Sequence, residues 1–89
     1  MALTFPNNSR SYDEASRRIR FFGYDGMFEI RFFLEIDALA KASPKKITGE
    51  REYLAAFDTV RKTVITAAER AYGKGSRGNM YTLTLADFS

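Results

Sequence analysis

The segment from residue 17 to residue 36, RRIRFFGYDGMFEIRFFLEI, constrains the fold more than any other part of the chain. Within it, two alternating, apolar-rich runs flank Asp25-Gly26. Asp-Gly between such runs is a strong signal for a two-residue β-hairpin turn, because both central positions require positive φ. Placing Tyr24 opposite Met27 closes that turn. The sequence therefore predicts a hairpin with strands over residues 17–24 and 27–35.

The predicted register divides the hairpin into an apolar face and a mixed face. It pairs Phe21 with Ile30 and Arg20 with Arg31, although like charges directly opposite each other are destabilising. A longer loop through residues 23–26 would shift the pairing by two residues and keep the same faces, whereas a one-residue slip would turn the apolar side chains outward. Because side chains alternate along a strand, the apolar face collects Ile19, Phe21, Phe28, Ile30, Phe32 and Leu34.

The mixed face interleaves cations with aromatic rings and is the candidate binding surface. Phe22 and Phe33 would be half exposed there unless the N-terminal segment or a second subunit covers them. Exposed apolar patches mark contact sites, and aromatic and arginine side chains dominate contact energetics. The same pairing also suits stacking on bases and neutralising phosphates. The face carries Arg18, Arg20, Phe22, Tyr24, Met27, Glu29, Arg31 and Phe33, and the predicted binding residues are Arg18, Arg20, Phe22, Tyr24, Arg31 and Phe33.

A second periodic segment predicts one long helix over about residues 49–72. Thr48 or Gly49 can cap its start, and Gly73 follows as a C-terminal cap. Packed on the apolar hairpin face, this helix gives a two-layer α+β domain spanning residues 1–89. Its apolar stripe has three- and four-residue spacing and consists of Leu54, Phe57, Val60, Val64, Ala67, Ala68 and Ala71.

Shorter segments add a helix and complete a small antiparallel sheet. A short helix is expected near residues 36–42, ending at Ser43 because the residue before a proline avoids the α region. Residues 80–85 alternate as a C-terminal strand, with Tyr81, Leu83 and Leu85 on one face. At the N-terminus, residues 3–5 can form a short strand. Residues 13–16 read as a turn, so that Tyr12 can pair with Arg17 in an additional strand.

Composition excludes several classes of function. The 89 residues contain no cysteine and no histidine, which removes disulfides, thiolate catalysis and zinc–thiolate sites together with the commonest general base. Fourteen basic and eleven acidic residues give a net charge of +3, which is mild for a dedicated DNA-binding protein. No apolar stretch is long enough to span a bilayer, and no signal-peptide pattern is present. We therefore expect a cytoplasmic protein that is not an enzyme and uses no cofactor or metal ion.

Residues 73–78, GKGSRG, match the glycine pattern G-x-G-x-x-G. A dinucleotide site needs a strand before this pattern and a helix after it, so that the phosphates meet helix amides. Here the predicted helix comes first and the strand follows. The segment is therefore predicted to be a flexible basic loop.

A pattern of residues that covers nearly the whole chain carries a family resemblance. It consists of Phe5-Pro6, Arg10-Ser11-Tyr12-Asp13, Ile19-Arg20-Phe21, Gly23, Asp25-Gly26, Ile30, Phe32, Asp37-Ala38-Leu39, Phe57-Asp58, Arg61, Ala67-Ala68, Tyr72 and Asp87-Phe88. With this pattern the chain resembles the bacterial family known as domain of unknown function 1488, DUF1488. This resemblance implies a small cytosolic α+β protein with no established activity, and it supplies no catalytic residues. Within the pattern, Arg61 lies at the edge of the helix stripe, where it either pairs with an acidic side chain (Asp37, Asp58 or Asp87) or holds an anion.

The leading functional hypothesis is a non-enzymatic interaction module that binds a protein partner or a second copy of itself through the mixed face. The alternative is weak nucleic-acid binding by the same face, assisted by basic residues in loops. Salt separates the two hypotheses, because counterion release makes nucleic-acid affinity fall steeply with salt, whereas apolar cohesion persists. The loop residues of the alternative are Lys45, Lys46, Lys74 and Arg77.

Overall fold

The computed structural model describes residues 3–43, 46–74 and 80–88, and it confirms the predicted α+β class. The predicted glycine-rich loop from residue 75 onward and residue 45 of the basic loop lie outside the described residues. In chain order the elements are β1 (Leu3–Thr4), β2 (Arg10–Asp13), β3 (Arg18–Asp25), β4 (Phe28–Glu35), α1 (Ile36–Ala42), α2 (Glu50–Thr59), α3 (Arg61–Gly73), β5 (Met80–Leu83) and a 3₁₀ helix (Leu85–Phe88).

The hairpin strands β3 and β4 form the centre of the sheet. On one side, β1 and β2 both pair antiparallel with β3, each beside a different part of it. On the other side, β5 pairs parallel with β4. The prediction of an antiparallel sheet is therefore correct for β1 to β4 and wrong for β5. A helical crossover of α1, α2 and α3 separates β4 from β5, and such a crossover returns the chain to run in the same direction.

The hairpin turn lies one residue later than predicted. Asp25 pairs with Phe28, so that Gly26 and Met27 form the two-residue loop. Gly26 has a φ of 63°, and Met27 is not among the described residues with positive φ. Glycine at the first central position is the preference of a type II′ turn, which needs positive φ there alone. The Asp-Gly pair thus predicted the hairpin correctly, but Gly26 is the first central residue of the turn and not the second.

The later turn shifts the β3–β4 pairing by two residues from the predicted register. Phe21 faces Phe32 instead of Ile30, and Arg20 faces Phe33 instead of Arg31. The predicted like-charge pair is therefore wrong. A two-residue shift preserves both faces of the hairpin, and the observed register avoids placing two guanidinium groups directly opposite each other.

One face of the sheet, here called the covered face, packs against the helices. Phe21 and Phe32 stack at its centre with ring centroids 5.3 Å apart and an interplanar angle of 17°. Phe57 of α2 lies 5.2 Å from Phe21, and Tyr81 of β5 lies 5.6 Å from Phe32. The buried cluster comprises Ile19, Phe21, Ile30, Phe32, Leu34, Ile36, Ala38, Leu39, Tyr53, Ala56, Phe57, Val64, Ala67, Ala68, Tyr81 and Leu83.

Phe28 is an exception to the predicted apolar face. Alternation assigns it to the covered face, yet 74% of it is exposed. It is the first residue of β4 after the two-residue turn. The prediction that Phe28 is buried is therefore wrong, whereas the burial of the other five residues on that face is confirmed.

The predicted long helix is interrupted at Val60, so that α2 and α3 replace a single helix. Val60 has φ −103° and ψ 18°, outside the helical range. The preceding Thr59 hydroxyl donates to the carbonyl oxygen of Ala55 at 3.0 Å. Thr66 makes the same kind of bond to Lys62 inside the uninterrupted α3, so this back-bond alone does not account for the break. The break divides the apolar stripe, with α2 contacting β2 and α3 contacting β5.

The ends of several elements differ from the predictions. Gly73 is the last residue of α3 and lacks the positive φ of a left-handed cap. Leu85 belongs to the 3₁₀ helix and is 46% exposed, because β5 ends at Leu83. In the N-terminal region, Tyr12 pairs with Ile19 instead of Arg17. The short helix α1 is confirmed over residues 36–42, and Gly49 is the N-cap of α2.

Glycine at position 23 allows the N-terminal segment to pack on the sheet. A Cβ atom at Gly23 would lie 2.8 Å from Cε2 of Phe5 and 3.2 Å from Cδ1 of Leu3. The Phe5 ring uses that space to reach Phe32, with ring centroids 5.8 Å apart. The close approach explains why a small residue interrupts the apolar alternation of β3.

We predict that Phe57→Ala lowers the free energy of unfolding by about 3–5 kcal/mol, because it removes a fully buried ring and leaves a cavity in its place. Urea denaturation measures this change. Phe28→Ala is the matched control, since the same ring is removed from an exposed site, where we expect a change within about 0.5 kcal/mol. Equal denaturation midpoints for the two variants would contradict the described core.

Candidate functional site: the open sheet face

The second face of the sheet, here called the open face, points away from the helices. Its phenylalanine at position 33 is not part of the buried cluster beneath the helices. The strands β1 and β2 lie beside β3 within the sheet, so the described N-terminal segment does not cross this face. By pairing and alternation, the open face carries Thr4, Ser11, Asp13, Arg18, Arg20, Phe22, Tyr24, Glu29, Arg31, Phe33, Glu35, Met80 and Thr82.

Phe33 lies beneath Arg18 on this face. The guanidinium carbon of Arg18 is 3.6 Å from the centroid of the Phe33 ring, well within the range of a cation–π contact. Only 6% of Phe33 is exposed, so the expectation that it is half exposed is wrong. The guanidinium of Arg18 lies over the ring and covers it, which makes Phe33 a supporting residue of the face.

Arg18 is positioned by neighbours on both sides. Its Nε lies 3.7 Å from Oδ2 of Asp13, and Glu35 is its cross-strand partner. The Nε atom is buried and has no hydrogen-bond partner among the described residues. This guanidinium therefore serves mainly to cover Phe33 and to balance the acidic side chains beside it.

Tyr24 and Glu29 form a cross-strand pair near the turn. The Tyr24 hydroxyl donates to the Glu29 carboxylate at 3.3 Å. Partial burial, followed by the charge of Glu29 and this hydrogen bond, raises the pKa of Tyr24 above its ordinary value. Tyr24 is therefore a neutral hydrogen-bonding side chain at one margin of the open face.

The exposed centre of the open face is a row formed by Phe22, Arg31 and Met80. Arg31 pairs with Phe22 on one side and with Met80 on the other. Phe22 is half-buried, and Met80 is 55% exposed. Arg20 lies beside this row with its guanidinium carbon 5.7 Å from the Phe22 ring. No described residue forms a hydrogen bond or an ion pair with Arg31, so its guanidinium is available to a ligand.

Charges on the described strands of the open face balance. The three arginines Arg18, Arg20 and Arg31 are matched by the three carboxylates Asp13, Glu29 and Glu35. The carboxylates lie toward the two ends of the strands, and Arg31 lies between them. The predicted binding residues are thus brought together on one surface, but that surface has no net positive charge.

Arg61 forms none of the ion pairs predicted from the sequence. Its Nη2 donates to the backbone carbonyl oxygen of Asn7 at 2.8 Å, and its guanidinium carbon lies 5.6 Å from the Phe57 ring. Its Nη1 is buried and has no hydrogen-bond partner among the described residues. Arg61 therefore ties the loop between β1 and β2 to the start of α3.

Two polar contacts that the sequence did not predict fix the helices to the sheet. Arg10 of β2 makes a bidentate ion pair with Asp58 of α2, with N–O distances of 2.9 and 2.8 Å. The hydroxyl of Tyr72 in α3 donates to Asp25 at the hairpin turn, which raises the pKa of Tyr72. Each pair joins residues almost fifty positions apart, and no local pattern signals such a contact.

Residues 3–43, 46–74 and 80–88 contain no group of three or more acidic, histidine or cysteine side chains placed to hold a metal ion. A cleft of about 360 Å³ lies between α1, α3 and the 3₁₀ helix, flanked by Lys41 and Arg70. Its carboxylate, Asp87, accepts the Thr84 N–H at 2.8 Å and caps the 3₁₀ helix.

None of the helices in the described part of the chain is long and apolar enough to cross a bilayer.

A match to a protein-family model identifies the family of the chain. Residues 3–85 match the model of the family described as a protein of unknown function, DUF1488. The chain belongs to the DUF1488 family. The resemblance inferred from the sequence is thus confirmed.

A crystal structure of a DUF1488 protein of unknown function from Shewanella loihica PV-4 has a similar fold. The TM-score is 0.79 at 16% identity, and the match covers 91% of this chain and 90% of that chain. At this identity the similarity supports the fold alone. A search among curated proteins found no match.

We predict that Arg18→Ala lowers the free energy of unfolding by about 1 kcal/mol, because it uncovers Phe33 and removes the cation–π contact. Arg20→Ala removes the same side chain from a site where the nearest ring is 5.7 Å away, so we expect a clearly smaller loss. Urea denaturation of both variants makes the comparison. An equal or larger loss for Arg20→Ala would contradict the assigned role of Arg18.

Proposed function

We propose that this DUF1488 protein is a non-enzymatic, cytoplasmic interaction module that binds a protein partner through the open face. The observation that supports this most is Arg31, which lies exposed between Phe22 and Met80 and has no ionic partner among the described residues. An interface centre enriched in aromatic, methionine and arginine side chains and surrounded by a polar rim is typical of protein–protein contacts. The rim here consists of Ser11, Asp13, Glu29, Glu35 and Thr82.

The chemistry of the central row indicates what the partner supplies. Phe22 and Met80 present apolar area that becomes favourable to bury once water is displaced. Arg31 presents a planar set of donors that fits a carboxylate through two parallel hydrogen bonds. We expect the partner surface to place an aspartate or glutamate opposite Arg31 and apolar side chains on both sides of it.

The charge balance favours a protein partner over nucleic acid. A phosphate backbone is bound by neutralising several phosphates at once, which requires a surplus of cations. On the open face, Arg18 already lies between Asp13 and Phe33, and three carboxylates offset the three arginines. Nucleic-acid binding remains the alternative outcome of the experiment below.

We predict that Arg31→Glu and Phe22→Ser each abolish capture of the partner while leaving the fold intact, since both side chains lie outside the covered core. Tagged protein is incubated with an extract of cells that naturally produce it and washed in about 0.5 M salt, at which long-range charge attraction is largely screened. Lys62→Glu is the matched control, because it reverses an exposed charge on α3. The expected result is a protein retained by the wild type and by Lys62→Glu and lost from both open-face variants.

Two results would contradict the proposal. One is retention of the same protein by wild type, Arg31→Glu and Phe22→Ser alike, which would place the contact on another surface. The other is nucleic acid that is retained at low salt and released by the wash in about 0.5 M salt, which would support the alternative. Once the partner is identified, Arg31→Glu should raise its dissociation constant at least about 10-fold, a loss of affinity typical of a central contact residue.

A further inference from the structure

The cleft between α1, α3 and the 3₁₀ helix lies outside the proposed binding face. Its volume of about 360 Å³ falls within the range of about 300–1,000 Å³ typical of small-molecule sites. The 3₁₀ helix contacts both α1 and α3, so it closes one side of the cleft. The buried Ala67 and the partly buried Phe88 line it, and Phe88 packs against the core. The fold therefore holds the walls of this cleft in place.

Two cations from different helices line the cleft. Lys41 comes from the last turn of α1 and Arg70 from the last turn of α3. Neither forms an ion pair within the described part of the chain. A cation in the last turn also complements the dipole of its helix. That role acts on each helix separately, so it does not require both side chains to line one cleft.

Asp87, the one carboxylate among the described residues that line the cleft, neutralises neither cation. Its Oδ2 accepts the Thr84 N–H at 2.8 Å and the Thr84 hydroxyl at 3.4 Å. These bonds hold the carboxylate at the cap of the 3₁₀ helix, and no ion pair joins it to Lys41 or Arg70. Both cations are therefore available to a ligand.

The wall that α3 contributes also offers a hydroxyl proton. Thr63, Thr66 and Arg70 all line the cleft, because their spacing of three and four residues places them on one face of the helix. The Thr66 hydroxyl donates to the carbonyl oxygen of Lys62 at 3.0 Å, so its proton is used within the helix. The Thr63 hydroxyl has no hydrogen-bond partner among the described residues and is free to donate into the cleft.

We propose that this cleft binds a small molecule that carries a phosphate monoester, with the phosphate held between Lys41 and Arg70. A phosphate monoester has a charge of about −1.5 to −2 and three strong acceptor oxygens, so it accepts from both cations and from Thr63 together. A carboxylate has one charge and two oxygens and would use fewer of these donors. Phe88 gives the organic part of the ligand an apolar surface.

This site is separate from the open face and does not depend on the proposed function. Its residues belong to α1, α3 and the 3₁₀ helix, whereas the open face points away from the helices. Nucleic acid is not the expected ligand, because a phosphate backbone is bound by cations that neutralise several phosphates along it. The cleft offers two cations that converge on one concave site.

NMR titration of isotope-labelled protein tests the proposal, with phenyl phosphate, benzoate and inorganic phosphate as probes in about 20 mM salt, where screening is weak. Phenyl phosphate should shift the amide signals of Thr63, Thr66 and Arg70 with a dissociation constant of about 0.1–2 mM, as expected for a ligand of this size. Inorganic phosphate should shift the same signals at higher concentration, because it lacks the ring. Benzoate keeps the ring but has a single charge, so it should bind at least about 5-fold more weakly.

Substitutions on the two walls locate the phosphate. Lys41→Gln and Arg70→Gln should each weaken phenyl phosphate binding at least about 5-fold, since each removes a charge-assisted hydrogen bond. Lys62→Gln is the matched control, because Lys62 is an exposed cation of α3 outside the lining, and it should change binding less than about 2-fold. Asp87→Asn keeps an acceptor for Thr84 and removes the nearby negative charge, so this variant should bind phenyl phosphate more tightly.

Three results would overturn the proposal. They are amide signals of the cleft that do not move at about 20 mM phenyl phosphate, equal affinity for benzoate and phenyl phosphate, and binding that both Lys41→Gln and Arg70→Gln leave unchanged. Arg31→Glu separates this site from the proposed function, because it should lose the protein partner and keep phenyl phosphate. Shifts centred on Arg31 and abolished by Arg31→Glu would place the anion on the open face and would also overturn the assignment to the cleft.

Discussion

The stacked pair of Phe21 and Phe32 is the contact on which the rest of the structure depends. These rings lie directly opposite each other at the centre of the hairpin, and helix α2, strand β5 and the N-terminal Phe5 all pack against them. Because side chains alternate along each strand, burying these two rings determines which residues face away from the helices. The covered core and the open face are therefore two consequences of one pairing.

The open face owes its chemistry to the same register. With Phe21 opposite Phe32, Arg31 lies between Phe22 and Met80, and Arg20 lies opposite Phe33. These two arginines thus lie opposite aromatic or apolar side chains instead of another cation. The third arginine of the face, Arg18, has a structural role, since it covers Phe33. The row around Arg31 stays exposed, and it is there that we propose a partner binds.

The sequence predicted the fold class, the hairpin, its two faces and the short helix α1, because each depends on local periodicity or turn chemistry. It did not predict the register. A two-residue shift keeps every side chain on the same face, and Gly26 suits a central position of either the predicted or the observed turn. The break at Val60 interrupts an otherwise regular apolar stripe, and no local pattern signals it. The long crossover through α1, α2 and α3 permits the parallel direction of β5, but no local pattern predicts it.

The candidate site was predicted in its composition but only partly in its geometry. All six predicted residues lie on the open face, because alternation requires it. The burial of Phe33 depends on the conformation that Arg18 adopts over the ring, and the Arg10–Asp58 ion pair joins distant elements. Periodicity carries no information about such contacts. The inclusion of Met80 in the central row likewise depends on the pairing of β5 with β4.

Nuclear Overhauser contacts between the α-protons of β3 and β4 test the central claim most directly, because close α-proton pairs in an antiparallel ladder identify the residues that lie opposite each other. The account predicts cross-strand contacts that pair Phe22 with Arg31 or Phe21 with Phe32, together with contacts between the aromatic protons of Phe21 and Phe32. Contacts that pair Phe21 with Ile30 or Arg20 with Arg31 would contradict the register, and with it the described core and the exposed row around Arg31.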